Sequence, residues 1–424
     1  MSWTERFAAK IMTMQEAAAL VRSGDRVMGG LPEPAEFLTA LGARQDLSGV
    51  EVFLAAPRTG GVAVASNPGL TLLTSFLTQV IREAAVPVEV LPVHFSGVPG
   101  FIRRWQPRIR VVLVASPDLD GTVYPGSALA NDDELVRGQA PPDAVVIGIV
   151  DPNQPRLRGD TFNVEDFDVL VPLPVDTAPP FYDRRRVSPH LEAIVGHLDD
   201  LIPDGATLQS GVGGLPESVV AHFGHKEDLG IHTEVFGPGL AELIGTGAVT
   251  NARKTLHPGE TVFTIALPET LDALANHPMA RIKSASVVLD PRQIAQNHQM
   301  RCINATLQVD LFGQGNAEML DGRPFSGVGG QLDFLRACTL ADDALSILVL
   351  ESTTAGGAVS RIVTHLTPNA TTGGRYETQV VVTEYGVAWL QDATMTQKAQ
   401  RLIAVAHPEH RDQLRQSARA VGLL

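Results

Sequence analysis

The chain has 424 residues, of which 44% are hydrophobic, and its formal net charge is -14 at pH 7. This length allows two ordinary domains with sizeable cores, and the negative charge argues against a nucleic-acid partner. With two cysteines, no signal-peptide pattern and no apolar run of the roughly 20 residues that span a bilayer, we expect a cytoplasmic protein without a disulfide framework, a metal site or a membrane partner.

The first half of the chain predicts alternating helices and strands. Thr13 and Glu16 match a capping box that opens a helix, and a short strand then leads into a glycine turn at residues 29–30. Apolar runs predict buried strands at residues 50–54, 111–115, 144–150 and 169–173. Prolines are frequent in residues 172–189, which predicts an interdomain linker there.

The second half predicts the same kinds of element. A helix is expected at residues 190–202, a strand at 204–210 and a buried strand at 231–236, which carries Glu234 in its middle. Further strands are predicted at residues 262–267, 286–289, 306–311, 345–350, 362–365 and 379–383. Thr394 and Gln397 match a second capping box, which opens a helix that continues to residue 406.

The pentapeptide Gly-Gly-Leu-Pro-Glu occurs twice, at residues 29–33 and 213–217, each time between a strand and a helix. This favours an internal duplication, although two α/β domains could also share this turn by chance. We therefore predict two similar open α/β domains related by a pseudo-two-fold, at residues 1–175 and 190–424, with a linker at 176–189 and the active site in the cleft. Aligned on Gly49 and Gly230, Phe53 of the first copy falls where Glu234 falls in the second.

Glu234 is the first candidate for chemistry, because a carboxylate within an apolar strand is costly to bury unless it is paired or used. Two glycine-rich loops, at residues 211–214 and 326–331, are candidates to hold a ligand against it, since such loops expose backbone N–H groups. The first loop is neither a dinucleotide fingerprint, because Pro216 stands at the sixth position, nor a Walker-type phosphate loop. A tight turn without a ligand is the alternative for each loop.

Five strings connect these features to a family. They are Asp-Gly-Ala-Thr-Leu-Gln at 204–209, Gly-Ile-His-Thr-Glu at 230–234, Thr-Asn-Ala-Arg-Lys-Thr-Leu at 250–256, Ser-Gly-Val-Gly-Gly-Gln-Leu-Asp-Phe at 326–334 and Val-Thr-Glu-Tyr-Gly at 382–386. Together they resemble the acetyl-CoA hydrolase/transferase family of class I CoA-transferases, and most closely its 4-hydroxybutyrate or butyrate CoA-transferase branch. The resemblance covers nearly the whole chain and is thinner in the first half.

The resemblance implies a ping-pong reaction in which Glu234 is the nucleophile and carries CoA as a glutamyl-CoA thioester. It implies two oxyanion donors, the backbone N–H of Gly330 and a side-chain amide from either Gln296 or Asn297, of which we favour Asn297. It also implies CoA contacts from Gly211, Val212, Gly213, Gly214, Leu215, Ser326 and Gly330. Acyl-CoA and a short-chain carboxylate are the implied substrates, with no tightly bound cofactor, and a homodimer or higher homo-oligomer is expected.

The chain departs from its relatives at two points. Many relatives have Ser-Asp-Gly after the catalytic strand, where this chain has Gly237, Pro238 and Gly239. Relatives often carry a lysine before the glycine pair 356–357, and here that residue is Ala355. Both departures bear on CoA affinity and acceptor choice.

Several other polar residues have two interpretations. His232 could assist proton transfer or make a structural hydrogen bond, and Arg253 and Lys254 could meet CoA phosphates or lie on a solvated turn. For the whole chain, the alternatives to a transferase are an acyl-CoA hydrolase that uses the same glutamate and a non-catalytic acyl-CoA sensor.

Overall fold

The computed structural model describes residues 2–174, 188–275, 277–354 and 356–424. Most of the predicted linker and Ala355 lie outside the described residues. The chain divides into two compact units, Met1–Tyr182 with Thr264–Val287 and Asp183–Phe263 with Val288–Leu424. Residues 264–287 thus group with the first unit, whereas the sequence assigned them to the C-terminal domain. The bounds predicted for the two domains stay a prediction.

The first unit is built on a seven-stranded sheet of order β4-β3-β2-β1-β5-β7-β9, with every pair parallel. Its strands are β1 (Arg26–Gly29), β2 (Val50–Leu54), β3 (Leu70–Thr74), β4 (Glu89–Val90), β5 (Ile109–Val114), β7 (Val145–Val150) and β9 (Val169–Pro172), and β6 (Thr122–Val123) pairs with β8 (Phe162–Asn163). Its helices include α1 (Trp3–Arg6), α2 (Met14–Ala19), α3 (Ala35–Gly42), α4 (Thr59–Ala65), α5 (Gln79–Ala84), α6 (Val98–Trp105) and α7 (Asp132–Arg137).

The core of the first unit is apolar on both faces of its sheet, as is usual for parallel strands. Arg110 on β5 is a charged residue within this core, and its side chain is fully buried. Its guanidinium donates hydrogen bonds to the backbone carbonyls of Pro107, Leu135, Gly138 and Gln139, at 3.2, 3.1, 3.2 and 2.6 Å. Three of these carbonyls lie in the last turn of α7 or just beyond it, so the buried charge ties that helix end to the sheet.

The second unit is built on a six-stranded sheet of order β11-β10-β16-β21-β23-β24, in which the last pair is antiparallel. The remaining strands in chain order are β10 (Thr207–Ser210), β11 (Gly230–Ile231), β12 (Val235–Phe236), β13 (Thr261–Phe263), β14 (Ile265–Ala266), β15 (Ala280–Ile282), β16 (Met300–Ala305), β17 (Gln308–Asp310), β18 (Gly315–Asn316), β19 (Met319–Leu320), β20 (Arg323–Pro324), β21 (Leu345–Val349), β22 (Ile362–Val363), β23 (Val380–Thr383) and β24 (Gly386–Trp389). The remaining helices are α8 (Leu191–Asp199), α9 (Gly214–Val220), α10 (Pro238–Gly245), α11 (Leu271–Ala275), α12 (Ala285–Val288), α13 (Pro291–Ile294), α14 (Gln331–Cys338), α15 (Met395–Val405) and α16 (Pro408–Ala420). Of these strands and helices, β14, β15 and α11 lie within residues 264–287, which group with the first unit, and α12 begins there.

The two sheets share a strand order. Read along each sheet, β2-β1-β5-β7-β9 of the first unit corresponds to β11-β10-β16-β21-β23 of the second. Since β1 and β10 each run into a Gly-Gly-Leu-Pro-Glu turn, the common order supports the duplication inferred from the sequence. The predicted α/β class is confirmed, and the pseudo-two-fold and the cleft stay predictions.

Local predictions were confirmed in several places. The capping boxes predicted at Thr13 and Thr394 are both formed. The structure also buries Cys302 and Cys338, and both are free thiols. In the described part of the chain, no helix is long and apolar enough to span a membrane.

Two predicted strands were wrong. Residues 286–289 belong largely to the helix α12, whose first turn is held by the Ser284 hydroxyl accepting a hydrogen bond from the Ser286 N–H. A short apolar run cannot distinguish a strand from a buried helical turn, which explains this error. The predicted strand at 231–236 is interrupted, because β11 ends at Ile231 and β12 begins at Val235.

Candidate active site

Glu234 lies in the break between β11 and β12, where its side chain keeps partial solvent access. The break is stabilised by Thr233, whose hydroxyl donates to the Ser210 carbonyl at 3.3 Å and to the Val235 carbonyl at 3.1 Å. A local bond between a threonine hydroxyl and a nearby carbonyl competes with regular strand pairing. Glu234 is therefore carried on a short fixed loop, and not on a continuous strand.

The glycine loop at residues 326–331 meets Glu234 at one point. The backbone N–H of Gly330 donates a hydrogen bond of 2.8 Å to Oε2 of Glu234. A β-carbon at Gly330 would overlap the Glu234 carboxylate and would stand 2.6 Å from Cδ2 of Leu289. Only glycine can occupy this position without moving one of these groups.

The surroundings of Glu234 favour its neutral form. The pKa of Glu234 is raised from 4.5 to about 7, mainly by burial and to a lesser extent by the charge of Asp333. The hydrogen bond from Gly330 acts in the opposite direction and lowers the pKa. Asp333 lies in the first turn of α14 and is 1% exposed. Asp333 was not among the residues predicted from the sequence for this site.

His232 is held in a structural role. The ring is fully buried, its Nε2 lies 2.9 Å from the Val288 carbonyl and it contacts Phe334 edge to face. Burial, and to a lesser extent the charge of Lys254, lowers the pKa of His232 to about 3. The imidazole is therefore neutral near pH 7, which favours the structural interpretation over proton transfer.

Lys254 is buried at the edge of the strand that precedes Glu234. Its side chain is 3% exposed, and Nζ donates to the carbonyls of Ile231 and Glu260 at 2.9 and 2.6 Å. Asn251 accepts the Ile231 N–H at 2.9 Å. Both sequence-based interpretations of Lys254, a phosphate contact and a solvated turn, were wrong, because its ammonium group is used on backbone carbonyls.

The glycine loop at residues 211–214 rests on a buried amide pair. Gln209 and Asn304 exchange hydrogen bonds of 3.1 and 2.8 Å, and a β-carbon at Gly211 would approach Oδ1 of Asn304 at 2.9 Å. Above this pair, Val212 is 59% exposed and Gly213 has a φ of 122°. The loop therefore presents its backbone and one apolar side chain at the surface of the unit.

The other residues predicted to contact CoA are Gly214 and Leu215 at the end of this loop and Ser326 of the loop at residues 326–331, and all three are partly exposed. Gly214 and Leu215 begin α9, and Ser326 donates its backbone N–H to the Glu318 carbonyl at 3.1 Å. Their predicted role in CoA binding stays a prediction.

The two candidate amides for the second oxyanion donor differ in burial. Asn297 is 1% exposed, its Nδ2 donates to the Ile294 carbonyl at 3.3 Å and its Oδ1 has no hydrogen-bond partner among the described residues. Gln296 is exposed and donates to the Arg292 carbonyl at 3.1 Å. Both amide nitrogens already donate within their own helical turns, so burial is what distinguishes the two candidates. The role of Asn297 stays a prediction.

Comparisons with known proteins agree over nearly the whole chain. The family model described as the acetyl-CoA hydrolase/transferase C-terminal domain matches residues 267–418. The chain is 34% identical over 436 residues to the succinyl-CoA:cyclohexane-1-carboxylate CoA transferase of Geobacter metallireducens, with 99% of this chain and 98% of the relative covered. It is 33% identical over 429 residues to the 4-hydroxybutyrate coenzyme A transferase of Clostridium kluyveri, with 98% of each covered. The crystal structure of RipA from Yersinia pestis matches with a TM-score of 0.90 at 32% identity, over 100% of both chains.

Proposed function

The chain belongs to the acetyl-CoA hydrolase/transferase family, and on that premise we propose that it transfers CoA from an acyl-CoA to a short-chain carboxylate, with Glu234 as the nucleophile. The observation that carries the proposal is the hydrogen bond from the Gly330 N–H to Oε2 of Glu234. It leaves Oε1 as the attacking oxygen and assigns a fixed donor to the other oxygen.

The first half-reaction takes CoA from the donor. Oε1 of Glu234 attacks the thioester carbonyl carbon, and the tetrahedral intermediate expels CoA thiolate to leave a mixed anhydride between Glu234 and the acyl group. The thiolate then attacks the glutamyl carbonyl carbon and expels the acyl group as a free carboxylate. Glu234 now holds CoA as a thioester.

The second half-reaction reverses these steps with the acceptor. The incoming carboxylate attacks the glutamyl thioester and expels CoA thiolate, which then attacks the acceptor's carbonyl in the new anhydride and releases Glu234 as a carboxylate. No atom or electron is needed beyond the two substrates.

Gly330 has a defined role in this sequence. In every intermediate centred on the glutamyl carbon, the oxyanion is an oxygen of Glu234 itself, and the Gly330 N–H is 2.8 Å from Oε2 in the free protein. That distance is suitable for an oxyanion donor, and one such donor typically contributes about 3 kcal/mol to the transition state. We assign Asn297 to the oxyanion of the acyl-centred intermediates.

The raised pKa of Glu234 suits a nucleophile of this kind. A carboxylate at its ordinary pKa is a weak nucleophile, and partial desolvation makes its anion more reactive at the cost of a smaller ionised fraction. With a pKa of about 7, a substantial fraction of Glu234 is ionised at neutral pH.

Further parts of the proposal come from the family resemblance. We assign CoA contacts to Gly211, Val212, Gly213, Gly214, Leu215, Ser326 and Gly330. Acyl-CoA is a substrate in this proposal and no tightly bound cofactor takes part. The homo-oligomeric state is proposed on the same resemblance, whereas the cytoplasmic location is proposed from the sequence pattern, which contains no apolar run of about 20 residues.

Hydrolysis is the second candidate, because Glu234 keeps partial access to solvent. In that case water attacks the glutamyl-CoA thioester in place of the acceptor, and acetate and free CoA are the products from acetyl-CoA. The difference between the two reactions lies in how well water is excluded from one intermediate.

The test is to incubate the protein with acetyl-CoA, quench with acid and measure intact and peptide masses. We expect a CoA-sized mass gain on the peptide that contains Glu234, lost in Glu234→Ala and kept in Glu242→Ala, which removes an exposed acid from α10. Carboxylates added one at a time then distinguish a transferase, which consumes the adduct only with an acceptor, from a hydrolase. If acetyl-, butyryl-, succinyl- and 4-hydroxybutyryl-CoA all stay intact and leave no adduct, the enzyme proposal is wrong and a binding sensor is the better account.

A further inference from the structure

Glu217 lies on the first turns of α9, just beyond the glycine loop at residues 211–214. The residue is 5% exposed, and Oε2 of its carboxylate accepts the backbone N–H of Gly239 at 2.9 Å. Gly239 belongs to the first turn of α10, which follows β12 and therefore follows Glu234 by only a few residues. One buried carboxylate thus joins the helix after the glycine loop to the turn after Glu234.

The fit at this contact explains the two glycines of the turn, of which Gly237 departs from the family pattern and Gly239 matches it. A β-carbon at Gly237 would overlap the carboxylate of Glu217, and a β-carbon at Gly239 would overlap its backbone carbonyl. Pro238, between them, has no N–H that would need a partner at the helix start. The turn at residues 237–239 is therefore shaped around Glu217.

The first unit contains an equivalent contact of a buried glutamate, although Phe53 stands there at the position of Glu234. Glu33, the last residue of the first Gly-Gly-Leu-Pro-Glu string, is 8% exposed and accepts the N–H groups of Arg58, Gly60 and Gly61 at 2.7, 2.8 and 3.2 Å. These groups lie at the start of α4, which follows β2. In both units, the glutamate of the repeated string caps the helix that follows the next strand.

Because the contact occurs in both units, a role in stabilising the fold can be distinguished from a role in positioning Glu234. In the first unit the preceding strand carries Phe53, so Glu33 can only stabilise the fold of that unit. In the second unit the same contact fixes the backbone that immediately follows Glu234, whose Oε2 must stay within hydrogen-bond distance of Gly330.

We propose that Glu217 is a positioning residue for Glu234, which holds the turn at 237–239 and thereby sets the distance between the Glu234 carboxylate and the Gly330 N–H. This inference rests on the proposed function of Glu234. A shift of about 1 Å in a reacting group can lower a rate by about 10²-fold, so loss of this contact is expected to act on the chemical step.

The test compares Glu217→Ala, Glu217→Gln and Glu33→Ala by the rate of CoA-adduct formation at saturating acetyl-CoA, by its pH profile and by thermal denaturation. We expect Glu217→Ala to slow adduct formation at least tenfold and to shift the midpoint of the pH profile, because both depend on where Glu234 lies. Glu217→Gln should restore most of the rate, since an amide oxygen can still accept the Gly239 N–H. Glu33→Ala should lower the melting temperature by a similar amount while the pH midpoint stays unchanged.

The outcomes are distinguishable from failure of the proposed function. If the wild-type protein forms no adduct with any of the four acyl-CoA donors, the function of Glu234 is wrong. If the wild type forms the adduct and Glu217→Ala forms it at the same rate with the same pH midpoint, the positioning role alone is wrong. Should Glu217→Ala not fold, Glu217→Asp, which withdraws the carboxylate by one methylene, is measured in its place with the same criteria.

Discussion

The Gly330 N–H and Oε2 of Glu234 are joined by a hydrogen bond of 2.8 Å, although the two residues are 96 positions apart in the chain. The bond gives the two carboxylate oxygens different environments before any substrate arrives. In the proposed reaction, the donor for the oxyanion on Glu234 would therefore already be in position, and no reorganisation would be needed when the charge develops.

Adduct formation should depend on pH with a midpoint near 7. In the proposed reaction the attacking group is the ionised form of Glu234. Its pKa is raised to about 7, so the initial rate should rise from pH 5.5 to pH 7 and level off above pH 8. The measurement is the initial rate of the CoA mass gain across this range, with circular dichroism at each pH as a control for folding. A rate that is flat from pH 5.5 upward would show that Glu234 titrates at its ordinary value.

Replacing Asp333 by asparagine should move this profile to lower pH. The negative charge of Asp333 disfavours ionisation of Glu234, so its removal lowers the pKa of Glu234 and increases the ionised fraction at pH 6. Asp342→Asn is the matched control, because it removes an exposed acid of the same unit, where solvent screens the charge. An identical midpoint in both variants would contradict the electrostatic coupling.

Glu234→Gln should stabilise the protein more at pH 8 than at pH 5. Between the ordinary value of 4.5 and the native value of about 7, the native state binds more protons than the unfolded chain, so the free energy of unfolding falls as pH rises through this window. Glutamine carries no charge at either pH and escapes this loss, which is on the order of 2 kcal/mol for a partly exposed group. The check is the melting temperature of both proteins at the two pH values. An equal difference at pH 5 and pH 8 would contradict the raised pKa.

Gly330→Ala should reduce adduct formation by about 10²-fold, because its β-carbon overlaps the Glu234 carboxylate and Leu289 and displaces the oxyanion donor. Gly329→Ala is the neighbouring control. Its β-carbon would stand 3.9 Å from Oε1 of Glu234, an ordinary contact, although its φ of 55° costs some stability. Quenched mass measurements should show the large loss in Gly330→Ala only, and equal losses would assign the effect to loop stability.

Arg110→Met should destabilise the protein by about 3 kcal/mol, since methionine cannot donate hydrogen bonds to the backbone carbonyls that the buried guanidinium now reaches. Arg103→Met is the control, because Arg103 is half exposed and its ion pair with Glu134 contributes little. Urea denaturation of both variants measures the difference. A change below about 1 kcal/mol in Arg110→Met would mean that the surrounding carbonyls find other partners.

The sequence predicted the centre of the site better than its surroundings. Glu234 and the glycine loop at 326–331 could be identified because an acid among apolar residues and a dense glycine cluster are both unusual. Asp333 was missed because nothing in its local pattern distinguishes it from an ordinary acid in the first turn of a helix. Its effect on Glu234 comes from tertiary packing.

The burial of Lys254 could not be predicted from the sequence either. A lysine in a polar string usually lies in water, and only the position of Ile231 at the edge of a sheet creates carbonyls that an ammonium group can cap. The break at residues 232–234 has a similar origin, because the side chain of Thr233 competes with strand pairing and leaves the apolar pattern unchanged.

The contacts of Ile231 also have a consequence for association between molecules. β11 is the edge strand of its sheet, and edge strands with free N–H and C=O groups can recruit strands from other chains and lead to aggregation. Here Asn251 takes the N–H and Lys254 the carbonyl of Ile231, while the N–H of Leu229 and that of Thr233 donate to Ala248 and Val262. The strand next to Glu234 is thereby closed to a foreign strand, and its protection against fibril-like assembly comes from the side chains of Asn251 and Lys254 together with the neighbouring backbone at Ala248 and Val262.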